Sequence, residues 1–400
     1  MSTAAAVLER CAALGKVSEE PGRLVRRYAT PAMREANELV GGWMRDAGLA
    51  VREDAAGNLI GRRDGPGRTL LLGSHLDTVV DAGRYDGPLG VLAALAVLER
   101  LWDRALPYAV ELIGFADEEG VRYGTTFLGS SAVAGRFAPA WLSLEDADGV
   151  AMGDALRAFG GDPDGIASAA RRPQDVLGYC EVHIEQGPVL ERRGAPVGVV
   201  TTITGQTHAE VRFIGEAGHA GTVPMNARRD ALAGAAEWML SVESVARRRQ
   251  GTVATVGRIA VEPDARNVIP GEALMTLDVR HTSNAVRREA IADMRAEAER
   301  IAAAREIELD WDARGETAAV PTSPDLTDLL ADAVEATGHT PERLPSGAGH
   351  DAVQMAALTD VAMLFVRCEK GISHNPAEAV AEADVAVALD VLERFLGVLA

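Results

Sequence analysis

Lysine is nearly absent from this chain: Lys16 and Lys370 stand alone among 400 residues, and arginine supplies the rest of the 40 basic side chains. Basic charge is scarce overall, since 59 Asp and Glu leave a formal net charge of −19. Binding a phosphate backbone needs a basic surface, so nucleic acid is excluded as a partner. An acidic surplus mainly keeps a protein soluble and does not by itself indicate a cationic substrate. Cysteine is scarce too. Cys11, Cys180 and Cys368 are odd in number and far apart, which excludes a disulfide framework and a thiolate metal cage and fits a reducing cytoplasm. No apolar run approaches the roughly 18 residues of a membrane helix, so no membrane partner is expected. The opening "MSTAAAVLERCAALGK" has Glu9 and Arg10 within its apolar part and no basic leader, the pattern of an amphipathic helix rather than a secretory signal.

What is present is material for a large core. Hydrophobic residues make up 47% and charged residues 25%, the proportions of a globular protein. One core stops growing near about 250–300 residues, so this length predicts two domains. Up to about Val200, helical and strand-like segments alternate: helix Pro31–Ala50, strand "RTLLLGSH", helix Gly87–Trp102, strands Tyr108–Ala116 and Tyr179–Glu185. Strands apolar on both faces between helices predict an α/β sheet covered on both sides. From Gly205 to Asp312 the order reads strand, long helix Asn226–Arg249, two strands, charged helix Asn284–Ala304, strand. That β-α-β-β-α-β order predicts a ferredoxin-like α+β unit. The α/β rhythm then returns with helices Ser323–Thr337 and Asp351–Leu358, strand "VAMLFVR" and helix Ala381–Leu399. An α/β domain of residues 1–204 and 320–400, interrupted by an α+β domain at 205–319, is expected. The polar stretch Ala147–Arg172 is expected as helix and loop at the surface.

Chemistry concentrates where strands end. In "LGSHLDTVVDAGRYDGPLG", His75 and Asp77 are two apart just past an apolar run, so both side chains can face one side. A carboxylate there can take the second imidazole N–H and fix the ligating nitrogen. Asp86 follows, before a glycine that permits a tight turn. "FADEEG" groups Asp117, Glu118 and Glu119, and crowded carboxylates raise one another's pKa unless a cation is present. One glutamate can bind a metal while its neighbour holds a water. "CEVHIEQG" carries His183 beside Glu181 and Glu185, and "GISHNPAEA" places His374 in a polar loop. Taken singly, each reads as an acidic turn or a satisfied core histidine. Four strand ends bearing such residues point to one location, because sites in open α/β sheets lie at the carboxyl ends of strands. His75, Asp86, Glu119, His183 and His374 offer imidazole and carboxylate without thiolate, which favours Zn²⁺, Mn²⁺ or similar ions. Five ligands exceed the three a single catalytic zinc takes. They suit two ions about 3.5–4 Å apart sharing a carboxylate.

At these residues the sequence resembles the M20 metallopeptidase family, in its amidase branch of allantoate amidohydrolases, N-carbamoyl-L-amino-acid hydrolases and β-ureidopropionases. The resemblance is carried by "GSHLDT", "GRYDGPLGV", "DEEGVRY", "HIEQGP", "GEAGHAGTVPM", "ARNVIPG", "DVRH", "SGAGHDA" and "GISHNPAE", in family order from Gly73 to Glu378. It implies an aminopeptidase-like catalytic domain holding two divalent metal ions and an inserted lid domain through which the chain forms a homodimer. By the same resemblance His75 and His183 bind one ion, Glu119 and His374 the other, and Asp86 bridges. Glu118 is then the general base, and Asp77 orients His75. Gln186 is expected near the substrate, His219 at the oxyanion, Asn267 and Arg280 on the substrate carboxylate, and Gly349 and His350 in a loop closing the pocket. Arginine's planar fork suits a carboxylate, and a histidine in a glycine-rich loop can donate to charge that appears in the transition state. His208, His281 and His339 read as structural, and Tyr123 stands where the branch commonly has phenylalanine. The implied activity is hydrolysis of a ureido or N-carbamoyl C–N bond on a small carboxylate, releasing ammonia and CO₂. Allantoate is the first expectation and N-carbamoyl-L-amino acids the second. "HIEQG" argues against an aminoacylase or dipeptidase of the wider family. The complete ligand set argues against a metal-free binding protein of the same fold.

Overall fold

Short polar side chains start four of the long helices. The computed structural model describes residues 3–399; Met1 and Ser2, part of the segment expected to open the first helix, and Ala400 lie outside them. Helix Ala4–Leu14 is capped by the Thr3 hydroxyl, which accepts from the Ala6 N–H at 3.2 Å. Thr30 caps Pro31–Asp46, Asp230 caps Ala231–Arg247 and Ser283 caps Asn284–Ala304. Each takes a backbone N–H that the helix leaves without a partner. The helix expected from Asn226 therefore starts only at Ala231: Pro224 and a 3₁₀ turn at Met225–Ala227 come first, and Asp230 supplies the cap. No helix among the described residues is long and apolar enough to cross a membrane.

The strands are β1 (Ala50–Glu53), β2 (Leu59–Arg63), β3 (Thr69–His75), β4 (Ala109–Phe115), β5 (Val176–Ile184), β6 (Val197–Ile203), β7 (Gly205–Ile214), β8 (Gly218–His219), β9 (Val253–Glu262), β10 (Val268–Ile269), β11 (Glu272–His281), β12 (Glu308–Thr317), β13 (Val320–Pro321), β14 (Glu342–Ser346) and β15 (Val361–Val366). The chain forms two compact units, one from the chain up to Thr201 together with Thr322 onward, the other from Thr202–Pro321.

The first unit is α/β. Its sheet runs β1-β2-β4-β3-β5-β15-β6, with β14 paired to β6. β4, β3, β5 and β15 are mutually parallel, with antiparallel strands outside them. β4 and β15 are buried along their whole length, as parallel strands covered on both faces must be. Helix Pro88–Arg100 is buried on every side from Pro88 to Leu98. Gly90 lets it approach the sheet, since a Cβ there would lie 2.0 Å from the Val182 carbonyl oxygen. The register sets His75 beside Phe115 and His183 beside Phe365, so the ends of the four parallel strands lie level. The stretch expected at the surface from Ala147 differs. Met152, Leu156, Phe159 and Ile166 are buried in the main core, because helix Met152–Phe159 presents an apolar stripe that only packing can cover.

Arg26 fixes the segment behind the site. It is fully buried, and its guanidinium donates to the carbonyls of Leu76 at 2.7 Å, Val17 at 2.9 Å and Leu14 at 3.1 Å. Arg26→Ala strands these buried acceptors and opens a cavity. It should cost about 3 kcal/mol or more in denaturant unfolding, and a loss below about 1 kcal/mol would contradict this account.

The second unit has an antiparallel sheet in the order β12-β7-β11-β9. Burial alternates strictly along β11, and Ala273, Met275, Leu277 and Val279 share one core with Trp238 and Met294 of the two long helices. The Trp238 indole N–H reaches the Met294 carbonyl at 2.8 Å, so its one polar atom is satisfied. β8 and β10 pair as a separate ribbon.

Candidate metal centre

Each parallel strand delivers a histidine or acidic side chain as it ends or in the loop that follows. β3 ends on His75, β4 leads directly into Asp117–Glu119, His183 is the penultimate residue of β5, and the loop beyond β15 carries His374. Asp86 precedes Gly87, whose φ of +79° turns the chain into helix Pro88–Arg100. A Cβ at Gly87 would meet the His75 ring at 2.5 Å, so glycine is required for the close approach. His75, Asp86 and His183 form one group, and Asp86, Glu119 and His374 a second; within each, one ligand atom per residue lies within 4.8 Å of the others. Asp86 Oδ1 is 3.3 Å from His183 Nε2, and its Oδ2 is 3.0 Å from His374 Nε2, which is also 3.3 Å from Glu119 Oε1. His75, Glu118 and Glu119 make a further grouping, as do Glu181, His183 and His350.

Hydrogen bonds aim the two inner histidines. His75 Nδ1 faces the Asp77 carbonyl at 3.0 Å and its carboxylate at 3.4 Å, and His183 Nδ1 faces the Ile184 carbonyl at 2.9 Å. Their Nε2 atoms converge to 3.5 Å. This is how outer groups fix the tautomer of a ligating imidazole. Asp77 also accepts the N–H of Glu118 at 2.9 Å and of Glu119 at 3.1 Å, tying the β3 end to the acidic loop.

Charge is crowded here. Burial, reinforced by the neighbouring Glu119, holds the Glu118 carboxyl well above the carboxylate range, and burial does the same to Asp117. Burial pulls His183 down to about 4, leaving it neutral and free to ligate. Burial also opposes charge on His75, but the hydrogen bond and charge of Asp77 outweigh it and hold its pKa high. Burial would raise Asp86, yet the hydrogen bond from His374 and the charges of His183 and His75 hold it well below the carboxylate range. Imidazoles and carboxylates packed this way, with all three cysteines unpaired and buried elsewhere, suit divalent cations taking nitrogen and oxygen donors.

Residues 71–397 match the Peptidase family M20/M25/M40. The chain belongs to that family. The N-carbamoyl-L-amino acid amidohydrolase of Geobacillus stearothermophilus is 42% identical, over 96% of this chain and 95% of that one. The allantoate deiminase of Arabidopsis thaliana is 41% identical, over 95% and 79%. Among solved structures, a hydantoinase/carbamoylase family amidase from Burkholderia multivorans has a TM-score of 0.92 at 32% identity, covering 99% of this chain and 97% of that one. AtUAH in complex with (S)-hydroxyglycine has a TM-score of 0.84 at 31% identity, covering 100% and 98%. This M20 protein is a metal-dependent hydrolase acting on C–N bonds, and its residue groups suit a dinuclear centre.

The remaining expected residues of the M20 chain divide between its units. Gln186, with a positive φ of 57°, places its amide nitrogen 3.0 Å from Asp86 Oδ1 and 3.3 Å from His374 Nε2. His350 is buried, bonded to Ser346 at 2.7 Å and packed edge-on to the His183 ring, while Gly349 before it is half-buried. His219, Asn267 and Arg280 belong to the second unit. There the Ala220 N–H donates to the Asn267 carbonyl at 3.0 Å, His219 is exposed, and Arg280 is bidentate on Asp278 at 3.0 and 2.8 Å. Three buried or half-buried groups at the centre had no role in the sequence reading: Glu181, Ser373 and Glu378. Glu181 accepts from Ser74, Tyr179 and the Ala352 N–H. Only its period-two spacing from His183 on one strand face could have singled it out.

Protons would compete with any cation held at this centre. The hydrogen bonds to Asp86 and Glu119 raise His374 to about 10 from an ordinary 6.5. In the metal-free chain that proton therefore stabilises the fold fully below about pH 6.5, and the contribution is lost as pH rises through about 10. A cation held by His374 would take the proton's place, so calorimetric Mn²⁺ affinity should then strengthen steadily between about pH 6 and 9. A flat profile would contradict this.

Proposed function

We propose that this M20 hydrolase cleaves the C–N bond of a ureido or N-carbamoyl group on a small carboxylate, with allantoate as its substrate. The observation that carries the reading is the pair of ligand groups sharing Asp86, with buried Glu118 beside them. His75 and His183 would hold one divalent cation, Glu119 and His374 the other, and Asp86 both; Zn²⁺ and Mn²⁺ fit these donors alike. Bound there, the cations would supply Lewis-acid polarisation of the carbonyl and of water. Glu118 takes a proton from the attacking water and returns it to the leaving nitrogen as the C–N bond breaks. The carbamic acid released decomposes to ammonia and CO₂.

In this reading Gln186 and the loop of Gly349 and His350 line the substrate side. The second unit acts as lid and homodimer interface, His219 donates to the developing oxyanion, and Asn267 and Arg280 bind the substrate carboxylate. Arg280 would then divide its fork between substrate and Asp278. The three unpaired cysteines support a cytoplasmic setting. The complex of AtUAH with (S)-hydroxyglycine, an α-amino carboxylate, supports a product of this kind. N-carbamoyl-L-amino acids are the second reading, favoured by the relative that matches at 42% over nearly equal lengths. Ammonia release by the Mn²⁺-loaded enzyme from allantoate and from a panel of N-carbamoyl-L-amino acids decides between them. Turnover of the carbamoyl amino acids alone establishes the second, and cleavage of N-acetyl amino acids with neither ureide class refutes both.

A further inference from the structure

Two buried carboxylates treat the ligand loops alike. Asp77 receives the consecutive N–H groups of Glu118 and Glu119. Glu378 receives those of Tyr85 at 2.7 Å and Asp86 at 3.1 Å, both on one oxygen. Its other oxygen accepts from the Ser373 hydroxyl at 3.2 Å. Ser373 in turn lies 3.4 Å from Asp86 Oδ2 and accepts from the Gln186 amide at 3.1 Å. Glu378 is only 3% exposed, and it reaches from the His374 loop to a loop 292 positions earlier. A buried carboxylate is costly unless hydrogen bonds fill its lone pairs, and three do so here.

We propose that Glu378 is a positioning residue: it cross-ties the Asp86 loop to the His374 loop and thereby sets the aim of the carboxylate shared by the two cation sites. Asp86 has one oxygen turned toward each histidine, His183 and His374. Small rotations of its backbone therefore degrade one site or the other, and Glu378 holds that backbone by two successive N–H groups. Gly83 leaves room for the clamp, since a Cβ there would fall 2.3 Å from the Glu378 carboxyl carbon. The inference rests on the two-cation reading of the centre and is independent of the substrate.

The test is Mn²⁺ titration of the metal-stripped, full-length protein by calorimetry, with melting temperature and steady-state kinetics alongside. Glu378→Ala should weaken cation binding about 10–100-fold, with KM unchanged and kcat recovered at saturating Mn²⁺. Glu378→Gln should restore near-native affinity, because its carbonyl still accepts both N–H groups and its amide can donate to Ser373. Gly83→Ala should reproduce the weakening without removing the charge, and it decides the matter if Glu378→Ala does not fold. Native cation affinity in Gly83→Ala or in folded Glu378→Ala, or a glutamine variant as weak as alanine, overturns the proposal. If the isotherms shift as expected but no ureide is hydrolysed, the positioning role stands and the substrate reading falls. A native protein that takes up fewer than two cations removes the basis of both the centre and the clamp.

Discussion

Glu118→Gln is expected to lower kcat by about 10³-fold while leaving cation content unchanged, within the range that general acid–base catalysis contributes. The amide is nearly isosteric and keeps the backbone N–H that Glu118 donates to Asp77, so the acidic loop should hold its shape. What disappears is the ability to take a proton. Glu118 also belongs to a grouping with His75 and Glu119, and the experiment separates the two possible duties of its carboxylate. Loss of a cation by atomic absorption, with activity recovered in excess Mn²⁺, would make Glu118 a ligand rather than the base.

Asp86→Ala should be at least as damaging, for a different reason. Asp86 is shared by the His75–Asp86–His183 and Asp86–Glu119–His374 groups, so its removal leaves His75 with His183 and Glu119 with His374. Two ligands fall short of the three that hold a catalytic zinc. Cation content should drop by at least one equivalent per chain, with activity down by about 10³-fold or more because the Lewis-acid contribution goes with it. The same change releases His374 from the carboxylate that raises its pKa, so its proton should come off at lower pH than in the metal-free native protein. An Asp86→Ala enzyme that retained two cations and normal turnover would dismantle the shared-carboxylate centre.

Much of this was legible in the chain. β3, β4, β5 and β15 are largely apolar because a parallel sheet buries both faces, and the helix Asn284–Ala304 is bounded by a Ser283 cap that the sequence displays. The outer strands β1, β2, β6 and β14 were not foreseen; β1, β2 and β14 run only four or five residues, too short to carry a full apolar pattern. The start of Ala231–Arg247 was missed for a local reason: helix-compatible residues after Pro224 are used in a 3₁₀ turn. The stretch after Ala147 looked like surface because its polarity masks the stripe of Met152, Leu156 and Phe159 that reaches the core.

The chain alone settled which residue types stand at which strand ends, and therefore that His75, Asp86, Glu119, His183 and His374 offer hard and borderline donors without thiolate. It could do so because strand ends and glycine turns are local properties, readable within a few residues. Tertiary structure decided how those ends are held: Asp77 across to the Glu118–Glu119 backbone, Glu378 across nearly three hundred positions to Tyr85 and Asp86, Arg26 beneath Leu76. A carboxylate in a polar loop looks solvated in sequence. Only the closing of the fold over it, which removes water and leaves backbone N–H groups as its partners, turns it into part of the centre.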